Sequence, residues 1–284
     1  MSGRPAGQEP THYASGETID PMSKISAYII AFNEAEKIEQ AVGSVLWADE
    51  VVVADSGSTD ETVAIAERMG ARVVQIPFEG FGDLRNKAVA ACRYEWILSI
   101  DADERCTPDV RDDILRLLAG APAHEAYLMP RRNYFMGRWI RHSGWYPNYR
   151  QPQLFKKVSM SYTPDVVHEG YIVHSGQTPG KLMHDIWQCP FRNLEEVNRK
   201  MTRYSTLGAQ KLQGRRATMS TALTHAMWAF FKHFILQRGF LDGWAGFVIA
   251  MGHSEGAFYR YAKRVEADSR WQLPPSLPLT RPKL

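Results

Sequence analysis

The sequence predicts an α/β protein, a doubly wound and mostly parallel sheet with a helical C-terminal extension. Two patterns predict it. Through residue 120, apolar strands alternate four times with helical stretches, and from Leu194 onward only long helical patterns remain. The early strands are continuous apolar runs, as expected where helices cover a parallel sheet on both faces. Repeated strand–helix alternation builds such a sheet through right-handed crossovers.

Each element has its own signal. Met1 to Pro21 are rich in Gly, Pro, Ser, Thr and charge, with no apolar stretch, so residues 1–23 are expected to form a disordered lead rather than an export signal. Met22 directly precedes the first strand and is the expected natural start. Ser26 to Phe32 is that strand, and Asn33-Glu34 opens an amphipathic helix with Ile38, Ala41, Val42 and Val45 on one stripe. Glu50 to Ala54 is the second strand. It runs into the polar loop Asp55-Ser-Gly-Ser-Thr-Asp60, where Thr59 or Asp60 is placed to cap the next helix. Gly70 stops that helix, and Ala71 to Ile76 make the third strand. A helix over Gly82 to Arg93 follows. Trp96 to Ile100 is the fourth strand, ending on Asp101-Ala-Asp103, and Thr107-Pro108 starts another helix. Beyond Pro122, Ala126 to Asn133, Gln153 to Lys157 and Tyr171 to His174 read as strands. Helices are expected from Leu194 to about Leu212, Thr221 to Leu236 and Trp244 to Val265. The organisation expected is a nucleotide-binding half over 24–120, an acceptor-side and catalytic half over 121–190, a helical region over 191–270 and a flexible tail over 271–284.

Composition narrows the class. The chain has 284 residues, 44% hydrophobic and 23% charged, which excludes a disordered or fibrous protein. A mean hydropathy of -0.34 argues against a polytopic membrane protein. A net charge of +3, with no nucleic-acid motif among the basic residues, argues against a nucleic-acid partner. Three cysteines, none at metal-knuckle or redox-pair spacing, exclude a disulfide scaffold and fit the cytoplasm.

Chemistry is expected where the strands end, since ligands of open α/β sheets bind at the carboxyl ends. Asn33-Glu34, Asp55-Ser56, Arg85-Asn86-Lys87 and Asp101-Ala-Asp103 occupy those positions. Singly, each reads as a cap, a turn or a solvated helix face; together they fall on one edge of one sheet. No G-x-G-x-x-G follows the first strand and no P-loop occurs, which disfavours nicotinamide redox chemistry and ATP hydrolysis. Nucleotidyl transfer to a sugar phosphate is disfavoured as well, because it too predicts a glycine-rich loop there. An Asp at a strand end suits a ribose or base edge. An Asp-x-Asp pair suits Mg²⁺ or Mn²⁺ bridging to a diphosphate.

Ala31-Phe-Asn-Glu34, Asp55-Ser-Gly-Ser-Thr-Asp60, Arg85-Asn-Lys87 and Ile100-Asp-Ala-Asp-Glu104 resemble the family 2 glycosyltransferases of the GT-A fold. Trp145-Tyr-Pro147, Gln153-Leu-Phe-Lys156, Val167-His-Glu169 and Gly239-Phe-Leu-Asp-Gly-Trp-Ala-Gly246 are similar to its branch of lipopolysaccharide-core β-1,4-glucosyltransferases. The resemblance implies a UDP-sugar donor, usually UDP-glucose, inverting transfer to an inner-core heptose, and work at the inner leaflet. By position it implies Asp55 at the uracil, Asp101 at the ribose, Asp103 on the metal, Arg85 near the phosphates and Asn33-Glu34 lining the nucleotide pocket. Two positions depart from the family, Gln153 where Arg is usual and Asn148 where Asp is usual, with Arg150 near enough to compensate for the first.

An inverting displacement also needs a base for the acceptor hydroxyl. Glu169 is the expected base, Asp165 its substitute, and His184 is expected to complete the metal shell beside Asp103. The C-terminal third combines Arg199, Arg203, Arg215 and Arg216 with the aromatic stretch Ala226 to Leu236, too short and too interrupted to span a bilayer. It reads equally as a helix lying at the membrane surface or as one packed on the catalytic domain. Rival functions are transfer to a polyprenyl phosphate or another cell-surface glycan, or nucleotide-sugar binding without catalysis.

Overall fold

The computed structural model describes residues 23–163 and 170–268. The expected lead, through Met22, and the tail over 271–284 lie outside the described residues. The first part of the chain forms β1 (Ile25–Ala31), α1 (Ala35–Gly43), β2 (Glu50–Asp55), α2 (Thr62–Arg68), β3 (Arg72–Gln75), α3 (Phe81–Ala91), β4 (Trp96–Asp101), β5 (Glu104–Arg105) and α4 (Pro108–Leu118). Then come β6 (Ala126–Leu128), β7 (Arg131–Phe135), β8 (Arg138–Trp139), β9 (Leu154–Lys156), β10 (Met160–Tyr162), β11 (Tyr171–Val173), β12 (Gly180–Lys181) and β13 (Ile186–Gln188). The last described part is helical: α5 (Leu194–Gln210), α6 (Met219–Phe231) and α7 (Gly243–Asp268).

The main sheet has the order β12-β6-β9-β4-β1-β2-β3. Strands β1 to β4 are mutually parallel where they pair, and β9 joins β4 antiparallel. Strand alternation sends neighbouring residues to opposite faces. Ile29, Val53 and Leu98 meet Ile38, Ala66 and Ile114 of α1, α2 and α4, while Tyr28, Val52 and Ile97 meet Leu84 and Ala88 of α3. A sheet buried on both faces requires just such unbroken apolar strands. A smaller sheet, β5-β13-β7-β8, stands beside the carboxyl end of β4, and β10 pairs with β11.

Two local expectations are corrected. Ala126 to Asn133 is two strands in two sheets, not one, because Pro130 has no N–H for a ladder and the chain changes sheet there. Neither Thr59 nor Asp60 is the N-cap of α2; Glu61 holds that position without a side-chain bond. Asp60 instead accepts from the Thr62 N–H at 3.0 Å and from the Ala35 N–H at 3.1 Å, joining the loops after β1 and β2. Thr107 caps α4 as expected, accepting from the Val110 N–H at 3.3 Å.

The helical region is clasped to the rest through Asp242, which is buried. Its carboxylate accepts from the Arg141 N–H (3.1 Å), the His142 N–H (3.0 Å) and the Ser143 hydroxyl (3.0 Å). The chain around it is packed backbone to backbone. A Cβ added at Gly246 would lie 1.9 Å from the Gly239 carbonyl oxygen, so only glycine fits. At the other end of the region, Glu196 of α5 lies 4.0 Å from the buried Lys37 of α1.

Candidate active site

The loops after β1 and β2 interlock before any ligand is considered. Asn33 takes the left-handed conformation, φ 54°, which Asn tolerates better than most residues. Its N–H donates to the Ser58 hydroxyl at 2.8 Å and its Oδ1 accepts from the Thr59 N–H at 2.8 Å. The Glu34 N–H donates to Thr62 Oγ1 at 2.8 Å. Asp55 is fully buried, and its carboxylate accepts from the Gly57 and Ser58 N–H groups at 3.0 and 2.9 Å. Here Asp55 shapes the rim that Asn33 and Glu34 share.

At the end of β4, three carboxylates crowd into one turn, and each meets a different environment. Asp101 accepts from Arg85 Nη2 at 2.7 Å; burial acts to raise its pKa, but the guanidiniums of Arg85 and Arg131 outweigh that and hold it below the ordinary carboxylate value. Glu104, 1% exposed, is paired with Arg131, 2% exposed, at 2.5 Å, and its other oxygen accepts from the Asp101 N–H at 3.0 Å. Asp103, half-buried, meets no Lys, Arg or His within ion-pair distance among the described residues. Among the described residues its carboxylate accepts only long bonds of 3.3 Å, from the Gln188 amide. Burial, followed by the charges of Asp101 and Glu104, pushes its carboxyl up to about 7.

Arg85 is itself buried and held from below. Its Nη1 donates to Ser99 Oγ at 3.3 Å, Ser99 donates to the Tyr28 hydroxyl at 2.8 Å, and Tyr28 donates to the Tyr162 hydroxyl at 3.0 Å. Burial drives both tyrosine pKa values up, so the chain stays neutral. The next residue on α3, Asn86, clamps β10 by pairing with the Tyr162 backbone N–H and carbonyl, both at 2.9 Å. Lys87 is an ordinary surface partner of Glu79 and Asp83.

The expected residues therefore divide. Asn33, Glu34, Asp55, Arg85, Asp101 and Asp103 all lie at the carboxyl ends of β1, β2 and β4 or on the helix behind them. His184 does not join Asp103. Its Nδ1 meets Asp113 Oδ2 of α4 at 2.7 Å, and that bond raises its pKa. Glu169 and Asp165 lie outside the described residues; the chain on either side is fixed, with the Thr163 N–H donating to the Gly170 carbonyl at 3.0 Å. Gln153, 1% exposed, reaches Glu104 with its amide at 3.5 Å, while Arg131 provides the buried guanidinium under the acids. Arg150 helps to hold the Asp101 carboxyl down. Sequence reasoning missed Arg131 and Gln188, whose short strands carry no periodic signal.

The donor set suits a hard divalent ion: oxygen ligands, three acids in one turn, and one carboxylate with no cation at ion-pair distance among the described residues. No group of three His, Cys, Asp or Glu able to hold a metal occurs among the described residues, so diphosphate and water oxygens would have to complete the shell.

Carboxylates in place of a glycine-rich loop, set at the ends of β1, β2 and β4 in this strand order, are the architecture of a GT-A glycosyltransferase. Comparison of the whole chain agrees. The glycosyl transferase family 2 model matches residues 26–171, and the chain belongs to that family. An uncharacterized glycosyltransferase of Rickettsia felis is 34% identical over 262 residues, covering 87% of this chain and 91% of the relative. The lipopolysaccharide core biosynthesis glycosyltransferase LpsC of Rhizobium meliloti is 29% identical over 261 residues, covering 86% of this chain and 92% of LpsC. Among solved structures, glucosyl-3-phosphoglycerate synthase of Mycobacterium tuberculosis, crystallised with Mn²⁺, UDP and glucosyl-3-phosphoglycerate, is 28% identical with a TM-score of 0.34, covering 44% of this chain and 51% of that one.

Proposed function

We propose that this glycosyltransferase moves a hexose, glucose, from a UDP-sugar to an inner-core sugar of lipopolysaccharide by a single inverting displacement. The observation that carries the reading is the inequality of the three β4 acids. Asp101 and Glu104 are each matched by an arginine, while Asp103 has no cation within ion-pair distance among the described residues and its pKa is raised. A carboxylate kept in that state is the natural ligand of Mg²⁺ or Mn²⁺. The near full-length similarity to LpsC supports the acceptor class. Such an acceptor is anchored in lipid, which places the work at the inner face of the cytoplasmic membrane.

In this reading the Asn33-Glu34 and Asp55 loops receive the nucleoside, with Asp101 at the ribose. Asp103 would hold the ion beside the donor diphosphate. That ion, when bound, would supply positive charge to neutralise the leaving diphosphate. Arg85, fixed by Ser99 and Asp101, lends a second positive charge that needs no reorganisation. Glu169 takes the proton of the acceptor hydroxyl as that oxygen bonds the anomeric carbon and the bond to the diphosphate breaks. Residues 24–120 then serve the donor, 121–190 the acceptor and 191–270 the membrane surface.

The test is calorimetric titration of UDP and a panel of UDP-sugars with and without Mn²⁺, followed by transfer to lipopolysaccharide truncated at the inner core. Metal-dependent UDP-glucose binding and a β-linked product are expected. A folded protein that binds no uridine nucleotide overturns the donor assignment, and transfer confined to polyprenyl phosphate overturns the acceptor.

A further inference from the structure

Helix α6 is built inside out. Its sequence, from Met219 to Phe231, contains no Asp, Glu, Lys or Arg. The small residues Ala222 and Ala226 are buried, and the Ala226 carbonyl accepts from the Ser254 hydroxyl of α7 at 2.9 Å. Phe230 packs on Phe247 of α7, but Met219, Leu223, Met227, Trp228 and Phe231 are exposed. Met227 is 66% exposed and Trp228 55%, and Trp244 at the start of α7 reaches 71%. Of the 22 exposed large hydrophobic side chains among the described residues, eleven fall between Met219 and Met251, so they form a concentrated surface rather than scattered single residues. A helix in water puts its large apolar residues inward; this one saves them for another solvent.

Charge names that solvent. Between Glu196 and Glu255 the sequence has eight Lys and Arg and a single acid, Asp242, which is buried and occupied by the clasp. Exposed Arg215 and Arg216 precede α6, and exposed Lys232 and Arg238 follow it. A second copy of this chain would cover the apolar side chains but bring two sets of cations together. A lipid leaflet with anionic headgroups satisfies both features at once, with tryptophan and phenylalanine at the acyl boundary and cations among the headgroups. No described helix is long and apolar enough to cross a membrane, so the contact is with one leaflet.

We propose that the outer face of the α6–α7 hairpin docks on an anionic phospholipid bilayer, with Trp228 and Trp244 as its interfacial anchors. The proposal gives a physical surface to the lipid-anchored acceptor reading and rests on that reading only for its purpose; its test needs no sugar. Full-length protein is sedimented with vesicles of phosphatidylcholine alone or with about 30 mol % phosphatidylglycerol, at low and high salt. Binding is expected on the anionic vesicles, with a blue shift of tryptophan fluorescence and weakening by salt. Trp228→Glu/Trp244→Glu should weaken partitioning at least ~10-fold, and Arg215→Ala/Arg216→Ala about as much at low salt. Both pairs are exposed, and an unchanged thermal transition establishes that each variant is folded. Folded wild type that ignores anionic vesicles, or binding unaffected by the tryptophan pair, overturns the proposal. So does a concentration-dependent dimer that the same pair disperses. Vesicle binding without glucosyl transfer would leave this surface standing and remove the proposed acceptor.

Discussion

The β4 end of the sheet and the α6–α7 hairpin solve opposite problems with opposite placements. At β4, charge is inside: Glu104, Arg131 and Arg85 are buried, and each is bound in a fixed geometry. At the hairpin, much of the apolar bulk is outside, with Met227, Trp228 and Trp244 exposed while Ala222, Ala226, Ala245 and Gly246 are buried. Buried ion pairs are poor sources of stability and good sources of fixed direction. Exposed apolar surface is poor for solubility and good for adhesion. In both regions the arrangement departs from what stability alone would favour, and these are the regions proposed above to meet a donor and a membrane.

Asp103 is where the two regions differ most in expected effect. Asp103→Ala removes the cation-free acid while leaving both arginine pairs in place. Its expected loss is about 10²–10³-fold in kcat, read by UDP release, with an unchanged thermal transition. A comparable loss of stability would make Asp103 part of the framework instead. Next in size, Arg131→Met strands the Glu104 carboxylate in the interior and should cost about 3–5 kcal/mol in urea unfolding. The double variant Arg131→Met/Glu104→Leu should recover most of that, because no unpaired charge remains.

These two residues also show how far the sequence could be read. Asp103 was legible because acids directly after a fully apolar strand are costly unless they have work to do. Arg131 was not: it reaches Glu104 from β7, 27 positions on, in a stretch whose pattern looked like one strand. Gln188 touches Asp103 across 85 positions from a three-residue strand, where no periodicity can announce itself. The four parallel strands and their loops were legible for the opposite reason, since each is a run long enough to carry a pattern. For α6 the composition fitted a packed helix and a surface helix equally; buried Ala222 and Ala226 beside exposed Met227 and Trp228 support the surface helix proposed above. The glycine-rich stretch from Gly239 to Gly246, legible as a motif, turned out to be the clasp around Asp242.

On the hairpin side, Gly246→Ala drives a methyl group into the Gly239 carbonyl and should destabilise by about 1–3 kcal/mol, seen as earlier hydrogen exchange in α7 than in β1 or β4. Equal loss throughout the chain would mean that the two regions unfold as one. The smallest effect is expected at His184. Its pKa is raised by Asp113, so the pair stabilises the fold below the unfolded histidine value, near 6.5, and that contribution disappears as pH rises through the higher folded value. His184→Gln should flatten this slope in thermal unfolding while leaving the proposed response to Mn²⁺ intact. Loss of metal response in that variant would return His184 to the metal shell.

Adjacent residues of α3 tie the proposed donor side to the proposed acceptor side. Arg85 grips Asp101, and Asn86 grips the backbone of Tyr162, one residue before Thr163. Whatever draws Asp101 away from Arg85 also loads the helix that positions the chain leading toward Glu169. Expressed kinetically, that linkage favours a compulsory order of addition, nucleotide first and saccharide second. Product inhibition by UDP should then be competitive against the donor and noncompetitive against the acceptor.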